Sequence, residues 1–173
     1  CLSTVPALAG LETVTPEPLL QAAKVCGQYD KPLLVHAELM SEKDCAAALE
    51  AAFDNAGNSD SNNPEQSYQA HLDSRPAAWE RAAIQVVSEA ASSCRMHIVH
   101  LSDADSLDVI RACKADPAKK QLTVETCPHY LLLDSSMIQD GETRVKCFPP
   151  IRNAVNREKL WEDGMRSRLI DIV

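Results

Sequence analysis

Pro32-Leu-Leu-Val-His36 and Met96-His-Ile-Val-His100 are two short apolar runs that each end in histidine and lead through a polar turn into a helical stretch. A third run, Leu122-Thr-Val-Glu125, passes directly into Thr126-Cys-Pro-His-Tyr130. Continuous apolar runs of this length mark strands buried on both faces of a parallel sheet. The first polar side chain after such a run emerges at the strand's C-terminal end. Polar residues at successive strand ends describe a site-bearing face rather than a core.

Helical signals separate the strands. Thr15-Pro-Glu-Pro offers a cap and a proline suited to a first turn, predicting a helix through Gln28. The Ala-rich run from Ser41 to Phe53 is helical by propensity, and Asn55 to Gln66 reads as a loop. A short helix is expected from Ser67 to Leu72. Another is expected from Ser74 as its cap, with Ala78, Ala82, Ile84, Val86 and Val87 as apolar positions. Helices are also expected over Ser106–Cys113, near Ser135, and from Asn153 to about Met165. Arg144 to Arg152 reads as extended because of Pro149-Pro150, and Leu169 to Val173 as the start of a strand. Strands alternating with helices imply parallel pairing through crossovers. With 173 residues, the chain would supply only three or four strands of a barrel that needs about 250 residues. A doubly wound sheet competes, but no Gly-rich phosphate loop follows any strand.

Composition narrows the function. The chain is 45% hydrophobic and 24% charged with net charge −8. That acidity argues against a nucleic-acid partner. No apolar run approaches the roughly 20 residues a membrane span needs. Seven cysteines without a CxxC spacing argue against a zinc knuckle or redox dithiol. They read as reduced thiols in an intracellular protein. The first residue is Cys, not Met, so the chain reads as a piece of something longer.

One histidine after an apolar strand most often serves structure; two on one parallel sheet shift the balance. Imidazole suits zinc and neighbouring first-row metals. His36 and His100 are therefore the candidate metal ligands, and two are too few for a complete hydrolytic site. His97 lies three residues before His100, which strand alternation places on the opposite face; it is assigned a supporting role. His71 sits on an expected helix without a motif and reads as a surface residue.

Five motifs then occur in order: Val35-His-Ala-Glu38; Ser74-Arg-Pro76 with Trp79-Glu80; His97-Ile-Val-His-Leu-Ser102; Val124-Glu-Thr-Cys-Pro-His-Tyr-Leu131; and Lys146-Cys-Phe-Pro-Pro-Ile-Arg152. Together, from about Thr15 onward, they resemble the allantoinases of the cyclic amidohydrolase superfamily, near dihydropyrimidinases, hydantoinases and dihydroorotases. The resemblance implies that residues 1–173 are part of a (β/α)8 TIM barrel, roughly strands five to seven and the start of strand eight. It implies two divalent metals, zinc by preference, with His36 ending strand five and His100 strand six. It further implies a His-x-His pair on strand one, a carbamylated lysine expected before Cys1, and a general-base aspartate expected after Val173. No His-x-His occurs here, so this segment alone is expected to be inactive.

On the same basis Thr126 and Cys127 are expected to border the substrate, with Cys127 as pocket lining rather than nucleophile. His129 is expected to orient that loop, as a supporting residue like His97. Lys146, Cys147 and Arg152 read equally as structural or pocket-lining, and Ser74, Arg75, Trp79 and Glu80 as fixing the helix before strand six. The implied reaction is hydrolysis of a cyclic amide, allantoin to allantoate, in purine catabolism. The implied partners are a small cyclic ureide and other copies of the chain, often as a tetramer. The alternatives are a hydantoinase or dihydropyrimidinase activity, and a non-catalytic interaction protein on the same fold.

Overall fold

A computed structural model of the chain describes residues 14–39 and 66–173. The expectations for residues 1–10, for the helix over 41–53, and for nearly all of the loop 55–66 lie outside the described residues.

Strands β1 (Leu33–Val35), β2 (Met96–Ile98) and β3 (Leu122–Val124) form a parallel sheet in the order β1-β2-β3. Helix α1 (Pro16–Gln28) precedes β1. Helices α2 (Tyr68–Asp73) and α3 (Ala77–Ala90) lie between β1 and β2 in the chain, and α4 (Leu107–Ala115) between β2 and β3. Then come α5 (Pro128–Leu132) and α6 (Ala154–Lys159), the latter continuing as a π-helical stretch over Leu160–Arg166. The chain is thus α/β with a small parallel sheet.

Val35, Met96, Ile98, Leu122 and Val124 are buried in one core with Ala83, Ile84, Val87 and Ala90 of α3 and Ile110 and Cys113 of α4. The α3 stripe recurs at helical spacing. Burying each large aliphatic side chain contributes about 1.5–3 kcal/mol, which holds these helices on the sheet. The opposite sheet face carries the paired row Leu34, His97 and Thr123. Leu34 is 61% exposed, and this row borders an open hollow of about 330 Å³.

Several local expectations are corrected. Ser74 closes α2 instead of capping α3: its hydroxyl donates to the His71 carbonyl at 2.8 Å, and α3 starts after Pro76. Thr15 precedes α1 without a side-chain capping bond. Strand β2 stops at Ile98 because His100 turns into the left-handed region, φ 44°. Helix α5 forms where the sequence predicts no helix. The segment 169–173 makes one parallel bridge, Glu125 to Ile172, and lies beside the end of β3. Asn153 does cap α6, accepting from the Asn156 amide at 2.9 Å.

Helix α1 runs close to the turn between α3 and β2. A Cβ at Gly27 would stand 2.1 Å from the Ser93 carbonyl oxygen. Alanine gains about 1 kcal/mol in helix propensity, but overpacking against a backbone atom that cannot rotate away costs up to about 3 kcal/mol. Gly27→Ala should therefore be destabilising by about 1–2 kcal/mol net. A denaturant titration showing a stabilised protein would refute this close packing.

Candidate metal centre

His36 follows β1 and His100 follows β2, so adjacent parallel strands deliver both rings to the same end of the sheet. His36 Nδ1 lies 2.9 Å from His100 Nε2, with the ring centroids 4.7 Å apart. The left-handed backbone at His100 turns its ring back towards His36. A non-glycine residue held there costs about 1–3 kcal/mol, and histidine is among the residues that tolerate it best.

Glu38 fixes which nitrogen of His36 carries the proton. Its Oε2 lies 3.0 Å from His36 Nε2, and an ionised carboxylate only accepts. Nε2–H therefore donates to Glu38, and the Nδ1 lone pair faces His100. Burial pushes the Glu38 carboxyl up, but the His36 hydrogen bond and the Arg75 charge outweigh it and hold the group below its usual range. Burial, then the neighbouring His36, hold His100 below the usual histidine range, so its ring is neutral near pH 7. Neutral imidazole is the metal-binding form.

A buried charge chain surrounds the pair. Arg75 donates to Glu38 Oε2 and stacks 4.1 Å from the centroid of the Phe148 ring. The Arg75 carbonyl accepts from Arg152 Nη1 at 2.6 Å. Arg152 Nη2 lies 3.6 Å from Glu80 Oε2. The Glu80 carboxylate in turn accepts from the Ser102 amide and hydroxyl, both at 2.6 Å. Residues from four of the five motifs thus meet in one network. Sequence reasoning did not assign Glu38 a role, although His36-x-Glu38 spacing places both side chains on one side of a strand.

The other expected residues divide. His97 shares the Leu34 face instead of the opposite one, because the turn at His100 breaks the alternation counted from His97. Its ring bonds Thr123 Oγ1 (2.8 Å) and Glu125 Oε2 (3.2 Å). Thr126 is buried with its hydroxyl on the Leu101 carbonyl (2.7 Å) and its amide on the Ile172 carbonyl (3.0 Å). Cys127 is half-buried, and burial followed by Glu125 pushes its thiol up, which disfavours a thiolate nucleophile. His129 packs on Tyr130 with its Nε2 buried and unpartnered. His71 is not a surface residue: its Nε2 donates to the Cys147 carbonyl at 3.0 Å, and burial keeps it below the usual range.

No family model matches the chain. An allantoinase of Arabidopsis thaliana is 43% identical over 152 residues, covering 82% of this chain and 27% of that protein. One from Saccharomyces cerevisiae is 34% identical over 176 residues, covering 95% and 34%. A mitochondrial allantoinase of Aquarana catesbeiana is 51% identical over 108 residues, covering 61% and 22%. The chain is an allantoinase homologue in the amidohydrolase superfamily. This allantoinase homologue spans about a quarter to a third of the length of the curated relatives it matches.

Its fold matches that of hydantoinases. L-hydantoinase from Arthrobacter aurescens superimposes with a TM-score of 0.73 at 21% identity, over 98% of this chain and 35% of that one. D-hydantoinase from Bacillus sp. AR9 gives 0.75 at 24%, over 95% and 34%. Among the described residues of the allantoinase homologue, no three His, Cys, Asp or Glu side chains gather closely enough to hold a metal. The two facing imidazoles, one fixed by a carboxylate as metal-binding histidines usually are, fit part of such a ligand set.

Proposed function

We propose that this chain is part of a metal-dependent hydrolase that opens a cyclic ureide, with allantoin to allantoate as its reaction. The observation that carries the reading is the convergence of His36 and His100 at 2.9 Å from adjacent parallel strand ends, in a chain 43% identical to a plant allantoinase. In this reading residues 1–173 belong to a (β/α)8 catalytic barrel. Strands β1 to β3 are its strands five to seven, and 169–173 begin strand eight. The hollow beside Leu34 and Thr123 is then barrel interior.

A divalent metal, zinc by the imidazole donors, supplies polarisation of the ring carbonyl and an activated water when bound. His36 and His100 hold one metal, and the ligands for the second come from elsewhere in the protein. Thr126 and Cys127 border the substrate. The Thr126 hydroxyl and amide are engaged in holding the strand end, so polar contact falls to Cys127. His97, bonded to Thr123 and Glu125 along the hollow, and His129, packed on Tyr130, are supporting residues. The partners are a small cyclic ureide and further copies of the chain. No described helix is long and apolar enough to cross a membrane, and the absence of paired cysteine spacing favours an intracellular compartment.

The test is hydrolysis by the purified full-length protein. Allantoin should be opened in preference to hydantoin and dihydropyrimidine, with activity lost to a chelator and restored by zinc. A metal-replete protein inert towards all three rings would overturn the reading. Preference for hydantoin would move it to the hydantoinase branch.

A further inference from the structure

Arg75 is 5% exposed, although it carries a full charge. A guanidinium is taken out of water at considerable cost unless its partners are well placed. Its partners here are Glu38 on one side and the face of Phe148 on the other. Phe148 is 43% exposed and also meets His71 edge-on at 5.2 Å. A chain of contacts therefore runs from the surface at Phe148, through Arg75 and Glu38, to His36. Its two outer links, Phe148 to Arg75 and Arg75 to Glu38, join segments far apart in sequence, and the last, Glu38 to His36, lies within one segment.

We propose that Arg75 and Glu38 are positioning residues that set the tautomer and ring orientation of His36, with Phe148 clamping the guanidinium that holds the carboxylate. Glu38 has one oxygen, Oε2, shared between His36 and Arg75. The guanidinium thereby decides where that oxygen stands, and the oxygen decides that His36 presents Nδ1 and not Nε2 to His100. Arg152 holds the Arg75 carbonyl at 2.6 Å, which keeps the backbone of Arg75 from drifting. The hydrogen bonds run from the guanidinium to Glu38 and from His36 to the same oxygen, so the effect of Arg75 on the ring passes through Glu38. This inference rests on the reading of His36 as a metal ligand.

The experiment compares full-length wild type with Arg75→Gln, Arg75→Lys and Phe148→Leu, using Arg81→Gln as a control in the separate Arg81–Asp103 pair. Zinc affinity is read by chelator competition, and the His36 tautomer by nitrogen NMR on the metal-free protein. Loss of an outer partner of a ligating histidine typically weakens metal binding about 10- to 100-fold. Arg75→Gln should fall in that range and mix the His36 tautomers. Phe148→Leu should do so more weakly, Arg75→Lys should recover part of the loss, and Arg81→Gln should match wild type. Folded Arg75→Gln and Phe148→Leu proteins with wild-type zinc affinity and an unmixed tautomer would overturn the proposal. Should Arg75→Gln fail to fold, Phe148→Leu decides. Should wild type itself not bind zinc, the metal-centre reading fails, and the tautomer shift still tests the positioning roles.

Discussion

Replacing His36 with alanine in the full-length protein should lower hydrolysis of a cyclic ureide by about 1,000-fold or more and leave the chain folded. Polarisation of a reacting carbonyl by a metal is worth several kcal/mol, and about 4 kcal/mol corresponds to about three decades in rate. The fold should persist because His36 lies outside the apolar core. Glu38, the charge it leaves behind, keeps its buried partner Arg75, so no isolated charge is created. The matching change at the second ligand is His100→Asn, not alanine, since asparagine accepts the left-handed backbone at φ 44° with least strain. It should cost about as much as His36→Ala, and the double variant little more, as expected of groups that act as one unit. Turnover, bound metal per chain and thermal midpoint are the three measurements. Turnover within tenfold of wild type in His36→Ala would remove this residue from the chemistry.

The sheet was legible because its strands are apolar runs with breakers on either side, and α3 because its buried positions recur at helical spacing. Pro128 opens α5 as a proline suited to a first turn, but the 5-residue helix is too short to carry a periodic apolar stripe. The left-handed turn at His100 was not readable, since no glycine marks it, and the misplacement of His97 followed from it. The His36–His100 pair was legible because each histidine closes an apolar run, His36 directly after β1 and His100 two residues after β2. The charge network was not: Arg75 finds Glu38 from 37 residues away and Arg152 finds Arg75 from 77. Such pairings leave no periodic trace. The motifs point to Arg75 and Glu80 as fixing a helix and leave Arg152 open between structure and pocket, and only the folded chain joins the three in one network.

Glu80→Ala should be the most destabilising single change in that network, at about 3–5 kcal/mol. Helix propensity is not the cause, because alanine is the best helix former. Glu80 is 2% exposed on α3 and Ser102 is fully buried. Truncation leaves the Ser102 amide and hydroxyl without their acceptor, and a buried orphaned donor costs about 1–3 kcal/mol. It also strips Arg152 of its carboxylate, although Nε and Nη2 of that guanidinium already lack hydrogen-bond partners. Burial pushes the Glu80 carboxyl up, against the opposing Arg152 charge and the Ser102 hydrogen bonds. Glu80→Gln should therefore be much milder: an amide still accepts from the Ser102 amide and donates to its hydroxyl. Ser102 stands two residues beyond His100, so the alanine variant should loosen the turn that aims the His100 ring and lose zinc affinity along with stability. Denaturant unfolding of both variants separates these effects. A Glu80→Ala protein within about 1 kcal/mol of wild type would mean that Glu80 does not hold the Ser102 turn. A glutamine variant as damaged as the alanine one would mean that the charge opposite Arg152, rather than the Ser102 hydrogen bonds, holds it.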